Sequence, residues 1–307
     1  MLPIRLVAAL LSAASVLAAC GAAGDSAGGN GLPTSRPDPN DHRIQVLAAE
    51  SLWGDLAAQI GGALVHVTSI LDNPNQDPHE YQSGVGDAAA VADAQVVVVN
   101  GVDYDPFMQR LLSVDTSATR TVVTIATVVG AGNGANPHLW YDPAYVERAA
   151  VAIAAALTER QPAHAAGFAR GLAAARAAVR QVVAVIRRIR VAHAGESVGY
   201  TEGVPYYLVR SAGLTLGTPI GFSRAIEDGT DPSPGDSAHF EQAITGRRIR
   251  ALLLNTQVGD RETARLAGLA RSHGVPVVGV GETLPPGRHL QAWQAAQAEA
   301  LLAALDG

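Results

Sequence analysis

Four consecutive valines, Val96 to Val99, set the strongest limit on how this chain folds. A run that is apolar at every position has no face to give to water, so it suits a central strand of a parallel sheet covered on both sides. From residue 43 onward, short β-branched runs alternate with longer alanine-rich stretches of helical spacing, the pattern of βα units. Strands are predicted near 44–49, 64–70, 95–99 and 121–125, with helices near 51–60, 84–93 and 106–112. After residue 195 the alternation resumes, with strands near 198–201, 214–218, 249–254 and 276–280 and helices near 204–211, 237–245, 262–272 and 289–305. A chain of 307 residues has room for two such units, and 48% hydrophobic against 16% charged residues supplies the apolar material for both.

A long helical region lies between the two sets of strands. It starts after Asp142-Pro143, where Asp can cap and Pro is tolerated in the first turn, and it breaks at Gln161-Pro162. Residues 162–193 then continue for roughly eight turns of 3.6 residues, with Arg170, Arg176, Arg180, Arg187, Arg188 and Arg190 among Ala and Val. A surface helix of one lobe and a rigid connector between two lobes are the two readings; the length favours the connector. The expected fold class is therefore α/β: two lobes, each with a roughly four-stranded parallel sheet flanked by helices, joined by one long helix. The lobes are placed at 43–161 and 194–307, with the linking helix at 162–193. No sequence repeat relates the halves, so any symmetry is structural only.

The amino-terminal 19 residues carry one Arg near the start and then an apolar stretch, the form of a secretory signal. The stretch is too short and too rich in Ala and Ser to span a bilayer, and no later run reaches the ~18 uninterrupted apolar residues a transmembrane helix needs. Leu17-Ala18-Ala19-Cys20 resembles the lipobox of bacterial lipoproteins, whose Cys is lipidated and becomes the new N-terminus. Cys20 is the only cysteine, so a lipidated Cys20 leaves no thiol for a disulfide even in an oxidising compartment. Residues 20–42 then read as a lipidated cysteine on a flexible Gly, Ala, Ser and Pro leash, holding an extracytoplasmic domain at the cell membrane.

Charge and composition exclude several functions. Net charge is −6, all 22 basic residues are arginine, and none forms a run that tracks phosphates, so nucleic acid is not an expected partner. Aromatic content of 5% leaves few stacking platforms for single strands. Gly130-Ala131-Gly132-Asn133-Gly134 follows neither Walker nor dinucleotide spacing, and no Gly-x-Ser-x-Gly elbow is present.

Open parallel sheets bind ligands at the carboxyl ends of their strands, which directs attention to polar residues just after predicted strands. His79 follows the second strand in Asp77-Pro78-His79-Glu80-Tyr81, and His138 follows the fourth in Asn136-Pro137-His138-Leu139-Trp140. Glu202 follows the fifth in Thr201-Glu202-Gly203, and Glu282 the eighth in Gly281-Glu282-Thr283. Two imidazoles and two carboxylates brought to one point make a site for a first-row divalent ion such as Zn, Mn or Fe, with no soft thiolate available. The Pro before each His restricts the loop backbone. Taken singly, each has a plainer reading: a solvated loop His, or a Glu favouring a helix dipole. The other histidines fit such roles: His66 in a strand, His164, His239 and His289 on helices, His42 in the leash, and His193 and His273 near helix ends.

Signal segment, Cys20, Asp-Pro-His-Glu-Tyr, Asn-Pro-His-Leu-Trp, Thr-Glu-Gly and the 275–283 segment, in this order, resemble the substrate-binding lipoproteins of bacterial zinc/manganese ABC importers. The resemblance runs from residue 44 to 305 and implies two lobes joined by one long helix. It further implies metal ligands at His79 and His138, at Glu202 where a His or Glu stands, and at Glu282 where an Asp is usual. The longer Glu282 bears on metal preference and coordination. The implied role is capture rather than catalysis: a monomer holds the ion in the interlobe cleft and docks on an ABC permease membrane subunit, with small opening movements. Zinc is narrowly favoured by intrinsic affinity; two carboxylates and the lack of a His-rich loop keep manganese and iron close. Residues 227–234 read as a surface loop near the lobe opening, and Trp53 as either a cleft wall or a core aromatic. Two other functions compete: a secreted metal-dependent hydrolase with Glu202 or Glu282 as base, and a surface adhesin with a structural metal.

Overall fold

In the computed structural model, which describes residues 32, 41–75, 78–257, 259 and 261–307 without the His79 side chain, the four valines form an inner strand buried on both faces. The signal segment 1–19, Cys20 and nearly all of the leash lie outside the described residues. The first sheet contains β1 (Ile44–Glu50), β2 (Val65–Leu71), β3 (Val96–Val99) and β4 (Thr121–Thr124), all parallel, in the order β2-β1-β3-β4. In register, Ala48 of β1 lies opposite Ser69 of β2 and Val98 of β3, and Val98 lies opposite Val123 of β4. Helices α1 (Ser51–Gly61), α2 (Val85–Asp93), α3 (Pro106–Val114), α4 (Ile125–Val129) and α5 (Pro143–Arg160) belong to this half, and Asp142 caps α5 by accepting the Ala144 N–H.

The long helix α6 (Ala165–His193) leads to the second half, with α7 (Tyr206–Ser211), α8 (Ile220–Glu227), α9 (Pro234–Thr245), α10 (Arg261–Ser272) and α11 (Leu290–Asp306). Its parallel strands β5 (Ser197–Tyr200), β6 (Thr215–Leu216), β7 (Leu252–Asn255) and β8 (Val277–Val280) run in the order β6-β5-β7-β8. Each sheet thus has its second strand outside its first, so the chain leaves the first and third strands in opposite directions and opens a crevice at their carboxyl ends. Glu50 and Asn100 stand at that crevice in one half, Glu202 and Asn255 in the other.

The α/β architecture, the two four-stranded sheets and the long helix agree with the expectation from the sequence. Three details differ. The strand expected at 214–218 shrinks to two residues: past Gly217 the Thr218 hydroxyl, rather than backbone, meets the Tyr200 N–H at 2.8 Å and its carbonyl at 3.0 Å. Helices α4 and α8 have no counterpart among the helices expected from the sequence. His289 sits at the N-cap of α11 rather than within it.

Packing explains why α6 is so long. Its buried residues Phe168, Ala175, Val179, Val182, Ile186 and Ile189 recur at helical spacing, and that stripe lies against α1 and α5 of the first half and α11 of the second. One apolar core therefore runs from Val97 through Ile186 and Leu301 to Leu253 and Val280. A smaller cluster of Phe222, Phe240, Ile244, Leu252 and Leu266 covers the opposite face of the second sheet, neighbours Leu252 and Leu253 pointing to opposite sides. At the end of α6, His193 Nε2 meets Asp306 Oδ1 of α11 at 2.9 Å. Among the described residues, no helix is long and apolar enough to cross a membrane.

Helix α6 comes close to α1 at Gly171, where an added Cβ would lie 2.3 Å from the Ile60 carbonyl oxygen. Gly171→Ala is expected to lower the urea midpoint: overpacking against backbone costs about 1–3 kcal/mol, more than the ~1 kcal/mol alanine gains over glycine in a helix. Gly268→Ala on α10, where a Cβ meets nothing within 4 Å, is expected to raise it.

Candidate metal centre

His138 lies where the chain turns from the first half toward the second, just before the short 3₁₀ turn Leu139–Tyr141. Its side chain is buried, and its ring is fixed from two sides. The Asn136 Oδ1 accepts both the His138 backbone N–H at 3.0 Å and, at 3.1 Å, the ring Nδ1. The Asn136 amide nitrogen donates to the Gly203 carbonyl at 2.8 Å, which identifies Oδ1 as the atom facing the imidazole. Nδ1 is thus committed to Asn136, which leaves Nε2 as the ring nitrogen that faces the second half. That Nε2 lies 3.2 Å from Glu282 Oε2, with both side chains fully shielded from solvent. Edge contacts with the Tyr104 and Trp140 rings, at centroid distances of 5.7 and 5.3 Å, complete the imidazole's setting.

The carboxylates come from the second half. Glu202 follows β5 and Glu282 follows β8; both are buried. The Asn255 amide, at the end of β7 between them, donates to Glu202 Oε2 at 2.8 Å and to Glu282 Oε1 at 2.6 Å. Tyr104, reaching across from the first half, donates to Glu282 Oε2 at 3.0 Å. The backbone is held as well. Gln257 Oε1 accepts the N–H groups of Glu282 and Thr283, and its amide donates to the Pro74 carbonyl at 2.8 Å, on the loop that leads to His79. The Tyr141 hydroxyl lies 2.8 Å from the Gly281 carbonyl.

Three of the four residues singled out from the sequence therefore meet in one hydrogen-bonded cluster spanning both halves: His138, Glu202 and Glu282. The fourth, His79, is the middle residue of the 3₁₀ turn Pro78–Glu80, and its side chain lies outside the described residues. Among the described residues, no three His, Cys, Asp or Glu side chains are spaced to hold a metal ion by themselves; here Asn255 stands between the carboxylates. The donor set is nonetheless of the right kind. An imidazole nitrogen, Nε2, and a carboxylate oxygen, Oε2, face each other at 3.2 Å with a second buried carboxylate close by, and nitrogen and hard oxygen donors of this kind suit a first-row divalent ion.

Trp53 is fully buried in the first half and does not wall a cleft. Its indole N–H donates to Asn100 Oδ1 at 3.2 Å, and the Asn100 amide donates to the Pro137 carbonyl at 2.8 Å, so Trp53 supports the His138 backbone from below. Asn136, Tyr104, Asn255 and Gln257 were not foreseen. For Asn100 and Asn255 a signal existed, since each is the polar residue that ends an all-apolar strand.

A family model described as "Zinc-uptake complex component A periplasmic" matches residues 46–304. The manganese-binding lipoprotein MntA of Bacillus subtilis is 31% identical over 170 residues, 53% of this chain and 52% of that protein. The iron-binding protein YfeA of Yersinia pestis is 25% identical over 195 residues, 60% of this chain and 61% of that protein. The chain thus matches about half to three-fifths of the length of these curated relatives. Among solved structures, the periplasmic zinc-binding protein TroA of Treponema pallidum shares the fold with a TM-score of 0.73 at 18% identity, over 86% of this chain and 99% of that one. A manganese-bound periplasmic metal-binding protein of Candidatus Liberibacter asiaticus gives 0.71 at 17% identity, over 86% and 100%.

Beneath the cluster, Glu50 at the end of β1 is buried beside Asp105, whose carboxylate accepts the N–H groups of Asn100 at 2.7 Å and Gly101 at 2.9 Å. Burial, reinforced by the Asp105 charge, pushes the Glu50 carboxyl well above its ordinary 4.5. The folded chain therefore keeps a proton that the unfolded chain releases, so stability falls as pH rises from about 4.5 through the folded value. Glu50→Gln is expected to flatten this slope in urea unfolding between pH 4.5 and 8; an unchanged slope refutes the assignment.

Proposed function

The chain belongs to the zinc-uptake complex component A family, and on that premise we propose that it captures a divalent first-row metal ion between its two lobes for delivery to an ABC permease membrane subunit. In this reading His138 and His79 from one lobe and Glu202 and Glu282 from the other are the ligands of the transported ion. The observation that carries it is the approach of His138 Nε2 to Glu282 Oε2 at 3.2 Å, with Nδ1 already committed to Asn136. An imidazole nitrogen and a carboxylate oxygen so arranged can ligate one cation between them, and Glu202 supplies a second carboxylate for a divalent ion.

Zinc is the narrowly preferred ion. Its higher intrinsic affinity for nitrogen and oxygen donors supports it, as does the zinc-binding function of TroA. Manganese and iron, bound by MntA and YfeA, stay close competitors because two carboxylates suit them. The protein acts outside the cytoplasm as a monomer, tethered to the membrane by a lipid on Cys20. Movement between loaded and unloaded forms is small, since the apolar core continues through α6 from one sheet to the other. Capture, not turnover, is the role: the ion is held by buried side chains and released to the partner.

The test is calorimetric titration of Zn²⁺, Mn²⁺ and Fe²⁺ into chelator-stripped protein lacking residues 1–20. One site per chain is expected. His79→Ala, His138→Ala, Glu202→Ala and Glu282→Ala are each expected to lose more than the ~10–100-fold typical of a supporting residue. Unchanged binding in both Glu202→Ala and Glu282→Ala overturns the proposed site.

A further inference from the structure

We propose that Asn255 makes Glu282 a one-oxygen ligand and thereby biases the site toward zinc over manganese; this rests on the metal-capture reading above. A glutamate arm is long enough to present one or both oxygens to an ion. Here the two oxygens are held differently. Oε1 accepts from the Asn255 amide at 2.6 Å, while Oε2 faces His138 Nε2 at 3.2 Å and accepts from Tyr104 at 3.0 Å.

The Asn255 amide cannot easily turn away. Its Oδ1 accepts the Gln257 N–H at 3.1 Å, its backbone N–H donates to Thr201 Oγ1 at 3.1 Å, and the residue is 2% exposed. Both amide protons are in use, one on Glu202 Oε2 and one on Glu282 Oε1. The amide thus fixes how the carboxylate is turned, Oε1 toward Asn255 and Oε2 toward His138, so an ion arriving at Nε2 meets Oε2 first. Single-oxygen carboxylates keep the coordination number low, which suits tetrahedral zinc; chelating carboxylates raise it, which suits manganese.

Tyr104 has a different part. It sits after Gly101, Val102 and Asp103, three consecutive residues with positive φ of 79°, 55° and 58°, an uncommon conformation for a β-branched valine. The Asp105 carboxylate braces this turn by accepting the N–H groups of Asn100 and Gly101. The phenol it projects orients Oε2, the oxygen that is presented, and leaves the Asn255 hold on Oε1 untouched.

Zn²⁺ and Mn²⁺ affinities of the wild type, Asn255→Leu, Asn255→Ala and Tyr104→Phe, each checked for folding by circular dichroism, test the proposal. In either Asn255 variant the Mn²⁺ to Zn²⁺ affinity ratio is expected to rise at least ~10-fold, whereas Tyr104→Phe weakens both ions alike and leaves the ratio unchanged. Equal losses for both ions in the folded Asn255 variants overturn the proposal and leave metal capture standing. A wild type that binds neither ion overturns the capture reading itself. X-ray absorption on the zinc-loaded wild type needs no variant: four near donors with one Glu282 oxygen are expected, and a chelating Glu282 with five or six donors refutes the inference.

Discussion

Burying two carboxylates beside an imidazole is costly unless each polar atom is held by a partner. That requirement reaches into every part of this molecule. The partners of Glu282 come from the end of β7, from the turn after β3 and from the segment before α5. Those groups belong to different sheets, so they stay within about 3 Å of one another only if the sheets keep a fixed relation. Helix α6 supplies it, lying against α1, α5 and α11 along one apolar stripe. Hydrogen bonds at the junction sharpen the fit: Asn136 to Gly203, Tyr207 to the Asn136 carbonyl, and Gln257 to Pro74.

The two crevices carry related solutions. In each sheet an asparagine stands at the end of the third strand, Asn100 just after Val99 and Asn255 as the last residue of β7. In the first half its amide supports the Pro137 carbonyl, one residue before His138; in the second its amide bridges Glu202 and Glu282. One asparagine thus steadies the histidine through the backbone, and the other steadies the two carboxylates directly. The halves share this device and the strand order without sharing a recognisable sequence repeat.

Much of this was legible in the chain itself. The valine run, the β-branched and alanine-rich alternation and the break at Gln161-Pro162 reflect local preferences that packing reinforced, so the strands and long helices lie close to where the pattern puts them. His138, Glu202 and Glu282 were legible because a parallel sheet exposes side chains at its strand ends. What could not be read was mutual: that Tyr104 crosses to Glu282, that Asn136 joins His138 to Gly203, and that Gln257 links two loops 183 residues apart in sequence. Such contacts depend on how the halves are set against each other, which no local period encodes. Trp53 follows the same rule, since only the placement of Asn100 turns a core aromatic into a support for the histidine loop.

The continuity of the apolar core has a thermodynamic meaning as well. Val97 in one sheet and Leu253 in the other belong to the same buried cluster, with α6 and α11 between them. Loss of packing on the shared face of one sheet lays bare apolar surface that the other half covers. Heating is therefore expected to unfold the two lobes as one cooperative unit.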